Sequence, residues 1–295
     1  MSEYHWSTLS ERILNTTQGA LTLDTPHLMG IINATPDSFY APSRINAVDQ
    51  ALQLAETHYE AGAQWLDIGG ESSRPGSQRI NAQTTLDRVL PIIKAIKQRF
   101  KIYLSIDTYH PEVMHAAVHE GVDLINDIKA LRHPGALSEF VQQTTAGCLM
   151  HMQGTPETMQ QAPHYDQDDV MSALEAFFKT RLQQCIEHGI DLSRILIDPG
   201  FGFGKSIAHN WTILRQLSRL KQFNRPILVG LSRKHCIRAQ LKDPDDTFAV
   251  GLGSSVAAGL AYLNGAHIIR THDVEWARHT LAIMQAYHTQ PENCL

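Results

Sequence analysis

The stretch LNGAHIIRTH, residues 263–272, contains the pattern that decides the fold. Gly265 is placed to end a helix in the left-handed conformation, and the apolar run after it predicts a buried strand that ends in polar residues. The same pattern recurs in YEAGAQWLDI (59–68), HEGVDLINDI (119–128) and EHGIDLSRIL (187–196), with Gly62, Gly121 and Gly189 at the corresponding position. The chain therefore repeats a helix–glycine–strand unit.

Short apolar runs with this character continue along the whole chain. They are His27–Asn33, Gln64–Gly70, Ile102–Thr108, Leu124–Ile128, Gly147–Met152, Ile195–Gly200, Pro226–Ser232 and His267–Asp273. Amphipathic stretches such as Asn46–Glu60, Val170–His188 and Thr247–Leu263 separate them. Near-continuous apolar runs are typical of parallel strands buried on both faces, and about eight βα units predict an α/β protein with a (β/α)₈ (TIM) barrel. A doubly wound open sheet is the alternative, because periodicity does not prove closure.

The barrel is predicted as a single domain. Residues 27–295 carry the repeated units without a linker rich in Pro, Gly or Ser. Residues 1–26 precede the first strand as a short N-terminal extension, and LTLDTP (21–26) is typical of one arm of a β-hairpin. We expect this hairpin to close the bottom of the barrel.

Composition excludes several classes of partner. The 295 residues carry a net charge of −5, so the chain has no basic field to hold a nucleic acid. It has no apolar run long enough for a membrane span and no apolar N-terminal segment typical of a signal peptide. The four cysteines are far apart, which predicts reduced thiols and a cytoplasmic protein.

Polar residues end most of the predicted strands, where a barrel of this type carries its chemistry. They are Asn33, Glu71–Arg74, Asp107, Asn126, Asp127, Asp198, Ser232, Arg233, Lys234, Arg270, His272 and Asp273. Any one of them is open to a structural explanation as a helix cap or a solvated charge. Their presence at most of the strand ends favours a binding site instead.

The residue types indicate what that site binds. Asp107, Asp198 and Asn126 together accept and donate hydrogen bonds as a flat nitrogen heterocycle requires. Arg270 and His272, with Lys234, offer donors and positive charge for a phosphorylated group. A guanidine-like heterocycle with an anionic tail satisfies both sets.

The glycine-rich stretch IDPGFGFGKS, 197–206, is not a nucleotide-binding loop. Pro199 stands where a P-loop requires its first glycine, and Lys205 stands where the dinucleotide pattern requires its last. Asp198 instead ends a predicted strand, and the glycines let the chain turn sharply while Phe201 and Phe203 project from it.

Six stretches together resemble the dihydropteroate synthase family of pterin-binding enzymes. They are MGIINATPDSF (29–39), GGESSRPGS (69–77), SIDTYHPEV (105–113), INDI (125–128) with LMHMQGTPETMQ (149–160), DPGFGFGKS (198–206), and GLSRK (230–234) with RTHDV (270–274). Each motif is weak alone, whereas six in family order at matching strand ends are highly specific. The similarity extends from about residue 28 to residue 274.

The resemblance implies a (β/α)₈ barrel that forms a homodimer in the cytoplasm. It implies a Mg²⁺-dependent transferase of folate biosynthesis, inhibited by sulfonamides, that joins 6-hydroxymethyl-7,8-dihydropterin pyrophosphate to p-aminobenzoate and releases pyrophosphate. The pterin site would comprise Asp107, Asn126, Met150, Asp198 and Lys234. The p-aminobenzoate site would comprise Ser73, Arg74, Phe203 and Ser232. Asn33, Arg270 and His272 would bind pyrophosphate, with Asn33 also a metal ligand, and the catalytic set would be Asp107, Asp198, Lys234, Arg270 and His272.

The chain departs from the family pattern at three places. Tyr40–Ser43 replace the usual S-D-G-G after the first strand, Ser73 stands where threonine is usual, and His235–Arg238 replace S-F-I-G. The loops around Pro36 and Arg74 are expected to close over the site. Two alternatives remain open at this point: a pterin-binding paralogue without synthase activity, and a folate-dependent methyltransferase of the same superfamily.

Overall fold

The apolar runs become strands within the residues that the structure describes. The structure is a computed structural model that describes residues 11–34, 44–71, 79–156 and 158–289. Its strands are β1 (Ile13–Thr16), β2 (Gly19–Thr22), β3 (His27–Asn33), β4 (Trp65–Gly69), β5 (Tyr103–Asp107), β6 (Leu124–Asp127), β7 (Ala146–Met150), β8 (Ile195–Asp198), β9 (Leu228–Val229) and β10 (Ile268–Thr271).

Strands β3 to β10 form one parallel sheet in the order β8-β7-β6-β5-β4-β3-β10-β9. Its two edges also meet, because Ile197 of β8 forms a parallel bridge with Ile227, next to β9. The Ile197 amide donates to the carbonyl of Pro226 at 2.9 Å. The sheet therefore curls into the predicted barrel, and the alternative of an open doubly wound sheet is wrong.

Strand β9 is shorter than the predicted run Pro226–Ser232. Pro226 has no N–H to donate to a ladder. The carbonyl of Ile227 accepts from both His267 and Ile268, at 2.8 and 3.1 Å, so regular pairing begins only at Leu228. The strand is short because its first residues make the closing contact instead.

Helices lie between the barrel strands and after the last of them. They are α1 (Arg44–Glu60), α2 (Ala82–Arg99), α3 (Pro111–His119), α4 (Ala136–Gln142), α5 (Val170–Glu187), α6 (Ile207–Arg215), α7 (His235–Arg238), α8 (Thr247–Leu263) and α9 (Val274–Thr289). Of these, α1, α5 and α8 match the predicted amphipathic stretches. The four glycines singled out in the sequence follow α1, α3, α5 and α8 with φ between 76° and 104°, the left-handed region that ends a helix at low cost. No helix in these described ranges has the length and apolar character to cross a bilayer.

The N-terminal hairpin closes the bottom of the barrel, as expected. Strands β1 and β2 are antiparallel, and Leu14 and Leu23 are buried against the first residues of the barrel strands. Thr17 also donates to Asp123 at 2.5 Å, and Asn15 donates to Ser193 at 2.7 Å. The second arm is Gly19–Thr22, so it begins before LTLDTP and ends within it. Burial of each leucine contributes about 2 kcal/mol.

Candidate active site

The described members of the predicted site lie at the carboxyl end of the barrel. Strands β3, β5, β7 and β8 end in Asn33, Asp107, Met150 and Asp198 respectively. Asn126 is the second-last residue of β6. Arg270 is in β10, and His272 follows it by two residues. Ser73, Arg74, Pro36 and Tyr40–Ser43 lie outside the described residues.

Arg270 is the centre of the charged part of the site. Its Nε donates to Asp67 Oδ2 at 2.6 Å, and its Nη2 donates to Asp107 Oδ2 at 3.2 Å. Burial alone would lower the pKa of Arg270, but the carboxylates of Asp67 and Asp107 outweigh burial and raise the pKa. The guanidinium therefore stays charged while it is 19% exposed to the open end of the barrel.

Asp107 and Asp198 are two carboxylates whose acidity is weakened by their surroundings. Burial raises the pKa of Asp107 to about 7, against the attraction of Arg270. Burial also raises the pKa of Asp198 to about 6, although the Gly200 amide donates to it at 2.7 Å and Lys234 attracts its charge. Buried acids with raised pKa values at a strand end are typical of sites that bind or process a ligand.

Lys234 lies just beyond the turn that follows β9, at the same end of the barrel as Asp198. Its Nζ lies 4.2 Å from the centre of the Phe203 ring, a cation–π contact, and burial lowers the pKa of Lys234 to about 8. The turn before it is held by Arg233, which adopts φ 58° and makes two hydrogen bonds to Asp273, at 3.1 and 2.5 Å. These bonds fix the backbone from which Lys234 extends.

One apolar cluster forms part of the same end of the barrel. Met150 and Phe203 are buried in it. The other members are Tyr109, Ile128, Met152 and Met159. Phe201, the other aromatic residue of the glycine loop, is buried in the main core instead. A flat ring and the cluster are chemically compatible, because thioether and aromatic side chains pack well on aromatic faces.

Ser232 and His272 are directly linked. Ser232 Oγ lies 3.0 Å from His272 Nδ1, and it also accepts a hydrogen bond from the His272 amide at 3.2 Å.

Asn33 is at the end of β3. A Cβ placed on Gly69 would be 3.8 Å from both Asn33 Oδ1 and Asp107 Oδ2. The Asn33 amide oxygen and the Asp107 carboxylate therefore both lie close to Gly69.

Asp67 was not among the predicted site residues. This side chain is completely buried, accepts from Arg270 and Asn126, and accepts from Ser105 Oγ at 2.5 Å. It lies in the middle of the apolar run WLDIG, where no helix follows that it could cap. A charged residue in the middle of a strand that is buried on both faces was the sequence signal that could have identified Asp67 as a site residue.

Lys205 was also missed as a site residue. Its buried Nζ lies 2.9 Å from His151 Nδ1 and donates to the carbonyls of His151 and Phe203 at 3.3 and 3.0 Å. Burial lowers the pKa of Lys205 to about 7, and burial together with Lys205 lowers the pKa of His151 to about 2, so His151 accepts as a neutral ring. This lysine holds the glycine loop that carries Phe203.

The chain is similar to known pterin-binding proteins. Residues 29–272 match the family described as "Pterin binding enzyme". The dihydropteroate synthase of Escherichia coli (strain K12) is 42% identical over 275 residues, which are 93% of this chain and 96% of that protein.

Solved structures give the same result. The Yersinia pestis dihydropteroate synthase in complex with a sulfonamide drug superposes with a TM-score of 0.87 at 43% identity, over 94% of this chain and 99% of that one. The Xanthomonas albilineans dihydropteroate synthase in complex with 7,8-dihydropteroate has a TM-score of 0.82 at 38% identity, over 95% of this chain and 100% of that one. The motifs, the barrel and these relatives together place the chain in the dihydropteroate synthase family of pterin-binding enzymes, transferases of folate biosynthesis.

Proposed function

We propose that the carboxyl end of this barrel condenses 6-hydroxymethyl-7,8-dihydropterin pyrophosphate with p-aminobenzoate to give 7,8-dihydropteroate and pyrophosphate. The observation that carries the assignment to these residues is the guanidinium of Arg270, held between Asp67 and Asp107 and charged at the open end of the barrel. On one side the Arg270 guanidinium contacts carboxylates suited to the heterocycle. On the other side it faces the space available to an anion.

The pterin occupies the deeper part of the site. The carboxylates of Asp107 and Asp198 accept from the N–H groups of the ring, Asn126 supplies an amide, and Lys234 donates to a ring acceptor. Met150 packs on the ring face. This division is supported by the burial of Asn126 and Asp198, by the half-buried positions of Asp107 and Lys234, and by the apolar cluster beside them.

The pyrophosphate lies toward Arg270 and His272, where their N–H groups bind its oxygens. Mg²⁺ fits this side of the site, because it prefers oxygen ligands and is commonly held by one or two protein groups together with substrate phosphates. Asn33 Oδ1, which lies close to Gly69 on this side of the site, is an oxygen that can ligate it. Bound Mg²⁺ would neutralise charge on the departing pyrophosphate.

p-Aminobenzoate is placed against Phe203 and Ser232, with Ser73 and Arg74 completing its site. Phe203 is 7% exposed, and its ring carries the Lys234 ammonium on one face. Because sulfonamides mimic p-aminobenzoate, we expect them to compete for the same position.

The reaction needs no covalent nucleophile from the protein. The bond between the pterin methylene and the pyrophosphate oxygen breaks with its electron pair leaving on pyrophosphate, and positive charge develops on the methylene. Asp107 and Asp198 stabilise that charge, while Arg270 and His272 stabilise the leaving group. The amine nitrogen, held beside the methylene, forms the new C–N bond and loses a proton.

The protein is proposed to act as a homodimer through an apolar stripe on α8. Four exposed side chains follow one another at intervals of four residues on this helix: Phe248, Leu252, Val256 and Leu260. Ile283 and Tyr287 of the adjacent α9 are also exposed, at 68% and 74%. A large exposed apolar patch of this kind marks an interaction surface, and a second copy covers it by pairing the same face.

A cytoplasmic location is proposed with the function. Cys148, Cys185 and Cys236 are buried free thiols, which suits a reducing compartment. Burial raises the pKa of each thiol, so all three are unreactive at neutral pH.

The deciding experiment supplies purified protein with the dihydropterin pyrophosphate and Mg²⁺, and follows pyrophosphate release with and without p-aminobenzoate. Amine-dependent release together with dihydropteroate formation is the expected result. Pterin binding without amine-dependent turnover would favour the paralogue. Methyl transfer from a reduced folate to a corrinoid, measured in parallel, would favour the methyltransferase.

A further inference from the structure

Asp67 connects three strands at the centre of the site. Its Oδ1 accepts from Ser105 of β5 at 2.5 Å. Its Oδ2 accepts from Arg270 of β10 at 2.6 Å and from Asn126 of β6 at 3.3 Å. A single carboxylate therefore positions both Arg270, which is proposed to bind pyrophosphate, and Asn126, which is proposed to bind the pterin.

The carboxylate is fully buried, so it does not itself reach the open space. Leaving a charge in a barrel interior is expensive unless it is paired and hydrogen-bonded, and inward-facing layers are usually filled with apolar side chains. Among the described residues, Asp67 meets that requirement through two proposed site residues, Arg270 and Asn126, and through the buried Ser105. Asp123 offers a comparison, because it is an equally buried carboxylate, but it accepts from Thr17, Gln18 and Leu104 at the opposite end of the barrel.

We propose that Asp67 is a positioning residue for the pterin pyrophosphate: it holds the Arg270 guanidinium toward pyrophosphate and the Asn126 amide toward the pterin. The inference rests on the roles proposed above for Arg270 and Asn126. Asp67 also keeps Asp107 available, because the Nε edge of Arg270 is occupied by Asp67 and only Nη2 reaches Asp107. Without Asp67, Arg270 is free to pair more fully with Asp107, which removes a carboxylate from the pterin and a donor from the phosphate.

The test replaces Asp67 by asparagine, which keeps the volume. The new amide can donate to Ser105 Oγ and accept from Arg270, so the variant loses the charge while the packing is retained. Asp123→Asn is the matched control, since it removes an equally buried carboxylate far from the site. Calorimetry measures the affinities for inorganic pyrophosphate with Mg²⁺ and for 6-hydroxymethylpterin, and thermal unfolding measures the stability of each variant.

We expect Asp67→Asn to bind both ligands about 10- to 100-fold more weakly, the range typical of residues that orient a ligand-binding group. The KM for p-aminobenzoate at saturating pterin pyrophosphate should stay within about twofold, because the described partners of Asp67 are Ser105, Asn126 and Arg270, none of which is assigned to the p-aminobenzoate site. Asp123→Asn should lower the unfolding temperature while both affinities remain unchanged. Equal ligand losses in the two aspartate variants would reduce Asp67 to a structural role and overturn the proposal.

A double variant separates this inference from the proposed function. If Asp67 acts through Arg270, then Asp67→Asn combined with Arg270→Ala binds pyrophosphate no more weakly than Arg270→Ala alone. Fully additive losses would contradict the inference. Normal pyrophosphate affinity in Arg270→Ala by itself would instead contradict the proposed role of Arg270.

Ser105→Ala provides a second route should Asp67→Asn fail to fold. It removes one hydrogen bond to Asp67 and leaves every proposed ligand-binding residue in place. A pyrophosphate affinity lowered about 2- to 5-fold is expected from the loss of one such bond, and an unchanged affinity would count against the proposal.

Discussion

The pKa values of Asp107 and Asp198 predict an unusually steep loss of activity in acid. Burial raises these values to about 7 and about 6, so both groups gain a proton well above the pH at which a free aspartate does. Both must be ionised to accept from the pterin. The logarithm of kcat/KM for the pterin pyrophosphate should therefore be level above about pH 8, fall with a slope of about one between pH 7 and 6, and fall with a slope of about two below pH 6. Between pH 8 and pH 5 the loss is about a thousandfold.

Stability should change in the opposite direction. A carboxyl whose pKa is raised on folding stabilises the protein when it is protonated, and that contribution is lost as the pH rises through the folded-state pKa. These two groups therefore make the protein more stable near pH 4 than above pH 7. A loss of activity at pH 5 without a loss of stability excludes unfolding as its cause.

The assay is pyrophosphate release at limiting pterin pyrophosphate across this range, with thermal unfolding measured in the same buffers. Binding of free 6-hydroxymethylpterin serves as the control, because that ligand has no phosphate groups to titrate. Asp198→Asn removes one titrating group, so the acid slope of its remaining activity should fall from about two to about one. A slope of one in the unchanged protein, or an unaltered slope in Asp198→Asn, would refute the reasoning.

Further variants test other parts of the structure. Lys234→Ala should lower kcat at least about 100-fold in the same assay, because it removes a half-buried charge beside the proposed positions of both substrates, and near-normal turnover would contradict its role. Gly200→Ala should lower the free energy of unfolding by at least about 3 kcal/mol, since its Cβ would lie 1.9 Å from a backbone carbonyl oxygen at φ 68°. Gly189→Ala, at a similar φ with nothing within 4 Å, should cost only about 1 kcal/mol in denaturant unfolding, and equal costs would contradict this contrast. Leu252→Glu on the α8 stripe should give a monomer in analytical ultracentrifugation, with Val141→Glu on α4 as an exposed apolar control that leaves the oligomeric state unchanged. A Leu252→Glu protein that sediments like the unchanged protein would place the dimer interface elsewhere.

The fold was predictable because its signals are local. Apolar runs mark parallel strands, Gly62 and Gly265 end helices at the expected residues, and Pro111 begins α3 as its missing N–H allows. Closure of the barrel was not predictable in this way. It depends on the bridge between Ile197 and Ile227, and the hydrogen bonds around Ile227 shorten β9.

The site was predictable where residues follow a strand and not where they lie inside one. Asp107 and Asp198 end apolar runs, so their position alone drew attention. Asp67 interrupts such a run, and its partner Arg270 is far along the sequence, so the pair is brought together only by the closed barrel. Lys205 follows three glycines in a loop, a setting typical of exposed lysines, yet the turn folds it inward onto His151.

The hairpin at the bottom of the barrel has a consequence for synthesis of the chain. Leu14 leaves the ribosome long before its packing partners Leu196, Leu228 and Ile268, which follow it by roughly 180 to 250 residues. At about 5–20 residues per second, the last of these strands follows Leu14 by roughly 13–50 s. During that interval the hairpin has no completed surface to cover, and its leucines are available to chaperones or to neighbouring nascent chains. The hairpin is therefore translated before every strand of the barrel but is buried only after the last of them.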